Sequence, residues 1–589
     1  MGSIGDYYES NISNGVSNGV KPHYEIVEEP SRFRRKIRII VIGAGASALN
    51  FAHDIDTSTL DTELVLYEKN PEVGGTWYEN RYPGCGCDIP SVNYQFSWAP
   101  SPDWTSFYSG ATEILNYFKG IADKYGLRKY IRLDHKVVGA FWNEHDQQWH
   151  VRIQRGDSPE DIFEDQGHIL VNASGLTSFS KWKWPAIKGR ETFHGPMLHS
   201  AHWDDEVQLQ GKRVAVIGSG SSAVQIIPTI QPKVASLKCF IRSASWVTAG
   251  FGQRFAGKGG SNFKYTEKQK DILQNDPQKY LAYRKKIESE LNSRFRFILN
   301  GSEEQANARA YAEKDMRSKL ADRPEIADWI VPKNFAVGCR RPTPGNGYLE
   351  ALCCENTSVV SQSIVEITPK GIKTADGFEH NVDVIVCATG FDVSWRPSYP
   401  TIGRQSRSLS EQWKDIPRTY LSITVPNFPN YLIFNGPFGP YGHGSFLPIT
   451  ETLSRHFVQM LEKMSSEGVT SFDPKAEAVA EFFEHHKKFM PRTAWTSPCR
   501  SWFKQGTVDG EVMMWPGSRI HFFETMKQPR WEDYNLRYTT SNRFGYLGNG
   551  FAAREFDGSD LSWYLGTIDG NEQANLPDED FEDFIVQSV

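Results

Sequence analysis

No apolar run in this 589-residue chain reaches the length of a membrane span, so an embedded protein is not expected. Blocks of basic residues are missing too. The formal net charge of −6 is small for the length, and Lys and Arg are scattered, which argues against nucleic acid as a partner. The amino terminus, MGSIGDYYES, has no apolar stretch of the kind that directs secretion, and Asp6 stands where a myristoylation motif needs Ser or Thr. Cysteine is sparse: the eight residues at 85, 87, 239, 339, 353, 354, 387 and 499 follow no disulfide-framework spacing, and several fall in apolar, strand-like runs. Reduced thiols in a cytoplasmic protein are therefore the expectation. A metal is not expected either. The stretch FHGPMLHSAHWD, residues 193–204, sets His194, His199 and His202 without a carboxylate or thiolate at familiar zinc spacing, although Asp204 follows.

The chain is too long for one hydrophobic core, and two to four domains are expected. Aromatic residues make up 13%, including 17 Trp, which suits either the binding of flat apolar molecules or a large aromatic core. Residues 1–36, rich in Ser, Asn, Gly and charge, read as a tail with little structure of its own.

Order begins at KIRIIVIGAGASALNFAHDI. The run Ile39-Ile40-Val41-Ile42 reads as a buried parallel strand, and Gly43, Gly45, Ser47 and Ala48 follow it in the G-x-G-x-x-A arrangement of a dinucleotide site. Gly43 permits the tight turn, Gly45 lets the backbone approach a pyrophosphate, and small Ala48 lets helix and strand pack closely. The next strand, ELVLYEK, ends in Glu68, 25 residues past Gly43, either a solvated strand end or an acceptor for both ribose hydroxyls. Gly74, Gly75 and Thr76 come next, and Trp77, Tyr82 and Tyr94 are suited to wall a planar ring. Cys85-Gly86-Cys87 is not expected to be a redox pair, because a one-residue spacer strains a disulfide. Asp88 is a polar residue in this apolar wall, either a turn cap or part of a site.

A second unit opens at GKRVAVIGSGSSAVQIIP. After another β-branched strand, Gly218, Ser219, Gly220, Ser221, Ser222, Ala223 and Gln225 repeat the turn and helix start. The following strand ends not in an acid but in Arg242-Ser243, 24 residues past Gly218. An arginine there pairs with a 2′-phosphate that an acid would repel, so NADPH is expected over NADH; the alternative is a surface arginine. Two small-residue turns, in ILVNASG (169–175) and CATGFD (387–392), mark places where such a chain crosses between domains.

The fold class expected is α/β, with two Rossmann-like dinucleotide-binding domains and a helical insertion, the two fingerprints implying either two dinucleotides or one split cofactor site duplicated. The boundaries expected are a tail over 1–36, the first dinucleotide domain over 37–176 and 381–589, the second over 177–245 and 333–380, and the charged, helix-forming insertion over 246–332.

Phe193, Gly195, His199, Trp203 and Asp204 fit the pattern F-x-G-x-x-x-H-x-x-x-W-[P/D]. With GGTWYENRYPG, the two glycine turns, the basic pair Arg340-Arg341 after Gly338-Cys339, CATGFD, WPG and RWEDY, the chain resembles the flavin-dependent Baeyer–Villiger monooxygenases over roughly residues 38–540. The resemblance implies FAD for the first domain and NADPH for the second as cofactors, and O2 and a small-molecule ketone as substrates. It makes the 193–204 stretch an inter-domain linker in which His199 couples cofactor binding to domain movement. It makes Arg341 the arginine that steadies the flavin peroxide and Asp88 the acid that orients it. Arg340 falls where many relatives have a lysine on the NADPH phosphate. The chain departs from the pattern at GCGC, where an arginine is commoner, and at Ser174, where a threonine is usual.

The pattern is also similar to members from fungal secondary metabolism, which implies a bulky polyketide or terpenoid ketone. The aromatic loops FNGPFGPYGHGSFLP (434–448) and TAWTSPCRSWFKQG (493–506) either line a pocket for it or pack against the flavin. Three other functions stay open on this scaffold: oxidation of nitrogen or sulfur, isomerisation, and NADPH sensing without chemistry. A sensor would need neither Asp88 nor Arg341.

Overall fold

The structure is a computed structural model that describes residues 24–32, 34–175 and 182–566. The chain divides into a smaller unit, Met1–Arg35 with Glu462–Ser471 and Leu536–Val589, and a larger one, Lys36–Leu461 with Phe472–Asn535. Both parallel sheets belong to the larger unit.

The first sheet runs in the order Tyr431–Ile433, Ile169–Asn172, Ile37–Ile42, Thr62–Tyr67, Ile131–Arg132, all neighbours parallel. Its central strand carries the β-branched run, and Ile39, Ile40 and Val41 have no exposed surface. Burial on both faces is what an unbroken apolar run needs, since alternate side chains point to opposite sides of the sheet. An antiparallel set, His135–Asn143, Gln148–Arg155 and Ile162–Gly167, adds Val137, Trp149 and Val151 to the core that holds Ile40, Val65 and Leu170.

The second sheet is ordered Thr357–Val360, Ser236–Phe240, Arg213–Ile217, Val384–Cys387, Met197–His199, again all parallel. The boundary expected after residue 380 cuts this sheet. Val384–Cys387, assigned by sequence to the returning FAD domain, pairs with Arg213–Ile217 instead. Its residues are buried on both faces, and such a strand reads the same whichever sheet it joins.

Within the insertion expected over 246–332, α-helices begin only at Glu267, with Val247–Thr248 paired to Thr343–Pro344 before them. The helices Glu267–Asn275, Pro277–Ser293 and Glu303–Lys319 start where polar caps stand: Thr266 and Gln269 in a reciprocal box, Asp276 accepting from Lys279 N at 2.9 Å, and Ser302 accepting from Gln305 N at 3.1 Å.

In the smaller unit, Arg35 Nη2 donates to the Val469 carbonyl at 2.6 Å and Ser31 N to that of Phe551 at 2.6 Å. Of the tail expected over 1–36, residues 1–23 and 33 lie outside the described residues.

The expectation of reduced thiols fails at one pair. Cys339 and Cys499 form a disulfide across 160 residues of sequence, while the other six cysteines, Cys85 and Cys87 included, are free. Two loops brought together by tertiary packing make this pair, and spacing along the chain carries no trace of it.

Candidate functional site

The first glycine turn lines a cavity of about 510 Å3, with Glu68, Gly75, Thr76, Trp77 and Tyr94 also in its wall. Gly43 has φ +100°, and a Cβ there would sit 2.9 Å from the Ala173 carbonyl, in the ASG turn that follows the neighbouring strand. Gly45 faces Gly75 so closely that a Cβ on Gly75 would lie 3.1 Å from the Gly45 Cα. Ala48 is fully buried where its helix meets the sheet, and Ser47 accepts from Asn435 Nδ2 at 3.4 Å. Glu68 is only 4% exposed. Its two oxygens accept from the main-chain N–H of Ala44 at 2.8 Å and of Asn70 at 2.9 Å. Burial raises its pKa, and these two amides oppose the rise. Each oxygen retains a second lone pair for a ribose hydroxyl. Trp77 Nε1 donates to Tyr94 Oη at 3.1 Å, the two rings edge to face at 5.4 Å, which fixes the wall of the cavity.

The second turn is built the same way. Gly218 has φ +129°, and a Cβ there would fall 2.3 Å from the Ala388 carbonyl of the ATG turn. A Cβ on Gly220 would meet nothing within 4 Å. Ser219, Ser221 and Ser222 stand at least partly open around it, while Ala223 is buried against the sheet. Gln225, on the helix Ser221–Ile230, accepts from Tyr82 Oη at 2.8 Å and donates to the Gly86 carbonyl at 2.9 Å. The GCGC segment is thereby tied to the second glycine turn's own helix. Arg242 and Ser243 are exposed at the end of Ser236–Phe240. Arg340 reaches the same place, its Nη2 donating to the Ala244 carbonyl at 3.3 Å. Burial lowers the Arg340 pKa.

Asp88 and Arg341, 253 residues apart, form a two-pronged pair: Arg341 Nε to Oδ2 at 2.9 Å and Nη2 to Oδ1 at 3.0 Å. Arg341 Nη1 also donates to the Tyr441 carbonyl at 3.4 Å, and the guanidinium lies 4.8 Å from the centre of the Phe251 ring. Burial works to lower the Arg341 pKa, but the Asp88 carboxylate outweighs it and holds the value above the ordinary one. The loop 434–448 serves both sites, since Phe446 lines the first cavity while Tyr441 holds Arg341. Behind it lies a cluster that sequence reading passed over. Arg519 is fully buried, bound to Glu288, to Asn292 Oδ1 at 2.6 Å and to the Ser445 carbonyl at 2.7 Å. A charged residue amid the apolar run RIHFF was its one signal.

The 193–204 stretch enters the second sheet as its edge strand. His199 ends Met197–His199 opposite Cys387 and is fully buried. Its Nδ1 accepts from Ala201 N–H at 3.1 Å, so Nε2 carries the proton toward Thr389 Oγ1 at 3.2 Å. Burial, and then His202, push its pKa down to about 4, and the ring is neutral at pH 7. Trp182 stacks over it at 4.7 Å. Phe193 and Trp203 pack on two different apolar clusters, and Asp204 accepts from Glu206 N at 2.9 Å. A Cβ on Gly195 would lie 2.3 Å from the Asp383 carbonyl.

Residues 35–308 match the FMO-like family, described as flavin-binding monooxygenase-like. FAD-binding monooxygenase tazF of Aspergillus terreus is 41% identical over 90% of this chain and 95% of its own. A Baeyer-Villiger monooxygenase of Streptomyces coelicolor is 31% identical over 86% of this chain and 94% of its own. Among solved structures, the OTEMO complex with FAD and NADP superposes with a TM-score of 0.73 at 25% identity, over 85% of this chain and 99% of that one.

Proposed function

We propose, for a chain that belongs to the flavin-binding monooxygenase-like family, that it inserts one oxygen atom from O2 beside the carbonyl of a bulky polyketide or terpenoid ketone, a Baeyer–Villiger oxidation. The balance is ketone, NADPH, a proton and O2 giving ester or lactone, NADP⁺ and water. FAD fits the first site, because its glycine cradle has backbone so close to Gly43 and Gly75 that a Cβ on either would be crowded, yet opens onto a cavity of about 510 Å3. NADPH fits the second, because Gly220 borders open space and Arg242 is exposed. When bound, FAD reduced by NADPH supplies the activated oxygen.

The Asp88–Arg341 pair carries the reading. A fixed guanidinium about 4 Å from an anionic oxygen is worth roughly 4 kcal/mol at an effective dielectric near 20, about three pKa units in favour of the anion. An anion attacks a carbonyl carbon, whereas a protonated oxidant suits nitrogen or sulfur. Asp88 aims the guanidinium by two parallel hydrogen bonds and keeps it charged.

The test runs purified enzyme, NADPH and a panel of cyclic, aryl and polyketide ketones under ¹⁸O2. An ester or lactone heavier by one labelled oxygen is expected. Arg341→Ala is expected to retain FAD and lose about a hundredfold or more of that product, by analogy with loss of one preorganised charge-stabilising donor. Asp88→Ala loses activity by leaving Arg341 unaimed. A product of unchanged mass supports isomerisation, label on nitrogen or sulfur supports heteroatom oxidation, and full activity in Arg341→Ala removes the mechanism.

A further inference from the structure

His443 lies in the turn Gly442-His443-Gly444, two residues past the Tyr441 carbonyl that accepts from Arg341. Two residues span at most about 7 Å, so this imidazole is a neighbour of the Asp88–Arg341 pair. It is only 3% exposed. The main-chain N–H of Arg519 donates to its Nε2 at 3.3 Å. An amide nitrogen can only donate, so Nε2 is the bare nitrogen and the proton of the neutral ring sits on Nδ1. Burial, then the charges of Arg519 and Arg341, push the His443 pKa down to about 3, and the ring stays neutral at pH 7.

That Nδ1–H meets no acceptor among the described residues. Leaving a buried donor unpaired costs about 1–3 kcal/mol, so an acceptor brought by a ligand would be favoured there, and much of the neighbouring polar cluster is bound to Arg519. The Ser445 carbonyl and Asn292 Oδ1 both take Arg519, and Glu288 takes Arg519 and Asn93 Nδ2, the latter at 2.9 Å. The turn is closely packed, since a Cβ on Gly444 would fall 2.4 Å from Arg519 Cζ and one on Gly442 2.6 Å from Trp495 Cζ2. One face of the ring lies against Phe295 at 5.5 Å. A neutral, buried donor without an acceptor among the described residues thus stands beside the arginine.

We propose that His443 is a substrate-binding residue whose Nδ1–H donates to an oxygen of the ketone, with Arg519 as the positioning residue that fixes its tautomer. The inference rests on the reading of this site as one that takes a ketone. A group in this role discriminates by chemistry, since a ligand of the same shape without the oxygen leaves the donor as it was.

The experiment uses the holoenzyme with FAD and NADP⁺, and equilibrium dialysis of two bicyclic probes, 1-tetralone and its carbonyl-free counterpart tetralin. Wild type is expected to bind the ketone more tightly. His443→Phe should weaken 1-tetralone by about tenfold, the worth of one neutral hydrogen bond, and leave tetralin within about twofold. His443→Gln, which keeps an N–H donor, should retain the preference. The carbonyl stretch of ¹³C-labelled 1-tetralone should lie lower in wild type than in His443→Phe. If the Phe variant loses FAD, His443→Ala is read with the same two probes. Equal losses for both ligands, unchanged affinity, an unshifted carbonyl band, or failure of wild type to bind 1-tetralone overturns the proposal. A ketone that binds through His443 yet leaves with unchanged mass under ¹⁸O2 overturns the oxygenation and spares His443.

Discussion

Arg242 is exposed and makes no hydrogen bond or ion pair with the described residues, whereas Arg340 is anchored to the Ala244 carbonyl two residues away. An uncommitted cation at the end of the second strand is available to a 2′-phosphate. Losing such a charge-assisted contact costs about 1.5–3 kcal/mol, so Arg242→Ala should raise the KM for NADPH roughly ten- to hundredfold and leave that for NADH nearly unchanged. Rates of flavin reduction measured with both nucleotides decide it, and equal losses would make the residue structural. Sequence reasoning reaches this arginine because strand, turn and helix fix its place locally. It also reaches Asp88 and Arg341, but through resemblance; from the residues alone Asp88 is equally a turn cap. It does not reach His443, whose distinction is a buried Nδ1 that tertiary packing leaves without an acceptor among the described residues.

At the scale of elements, each glycine turn is closed by the small-residue turn after an adjacent strand: Gly43 by Ala173, Gly218 by Ala388. The two echoes in the sequence, NASG and ATGF, are thus the second halves of the two sites. The glycines within one turn do different work. Gly218→Ala drives a Cβ to 2.3 Å from the Ala388 carbonyl at a φ of +129°, while Gly220→Ala adds one in open space. Gly218→Ala should lower the melting temperature by about 1–3 °C, a cost of about 1–3 kcal/mol spread over a unit of this length. Gly220→Ala should melt like wild type and still bind NADPH poorly, because its Cβ occupies the room a pyrophosphate needs. Thermal melts set beside NADPH titrations separate the two, and the same response from both variants would refute the distinction. The parallel strands were legible because burial on both faces demands apolar runs. Which sheet Val384–Cys387 joins was not, because that demand is the same in either, and three-residue Met197–His199 is too short to show a period.

For the molecule as a whole, the bond between Cys339 and Cys499 closes a ring of chain that includes Val384–Cys387 of the second sheet and Tyr431–Ile433 of the first. Both sheets therefore contribute a strand to one covalent loop. Arg407 is exposed within that loop, a few residues past Thr401–Ile402. Trypsin cutting after Arg407 should leave two pieces that migrate as a single full-length species on a denaturing gel without thiol and as two bands once thiol is added. Separation without thiol would mean that the bond is not there. A protease scar in this region is consequently invisible to any assay that does not first reduce the protein, and a preparation judged intact by its size can already be broken on the stretch of chain that joins one nucleotide site to the other.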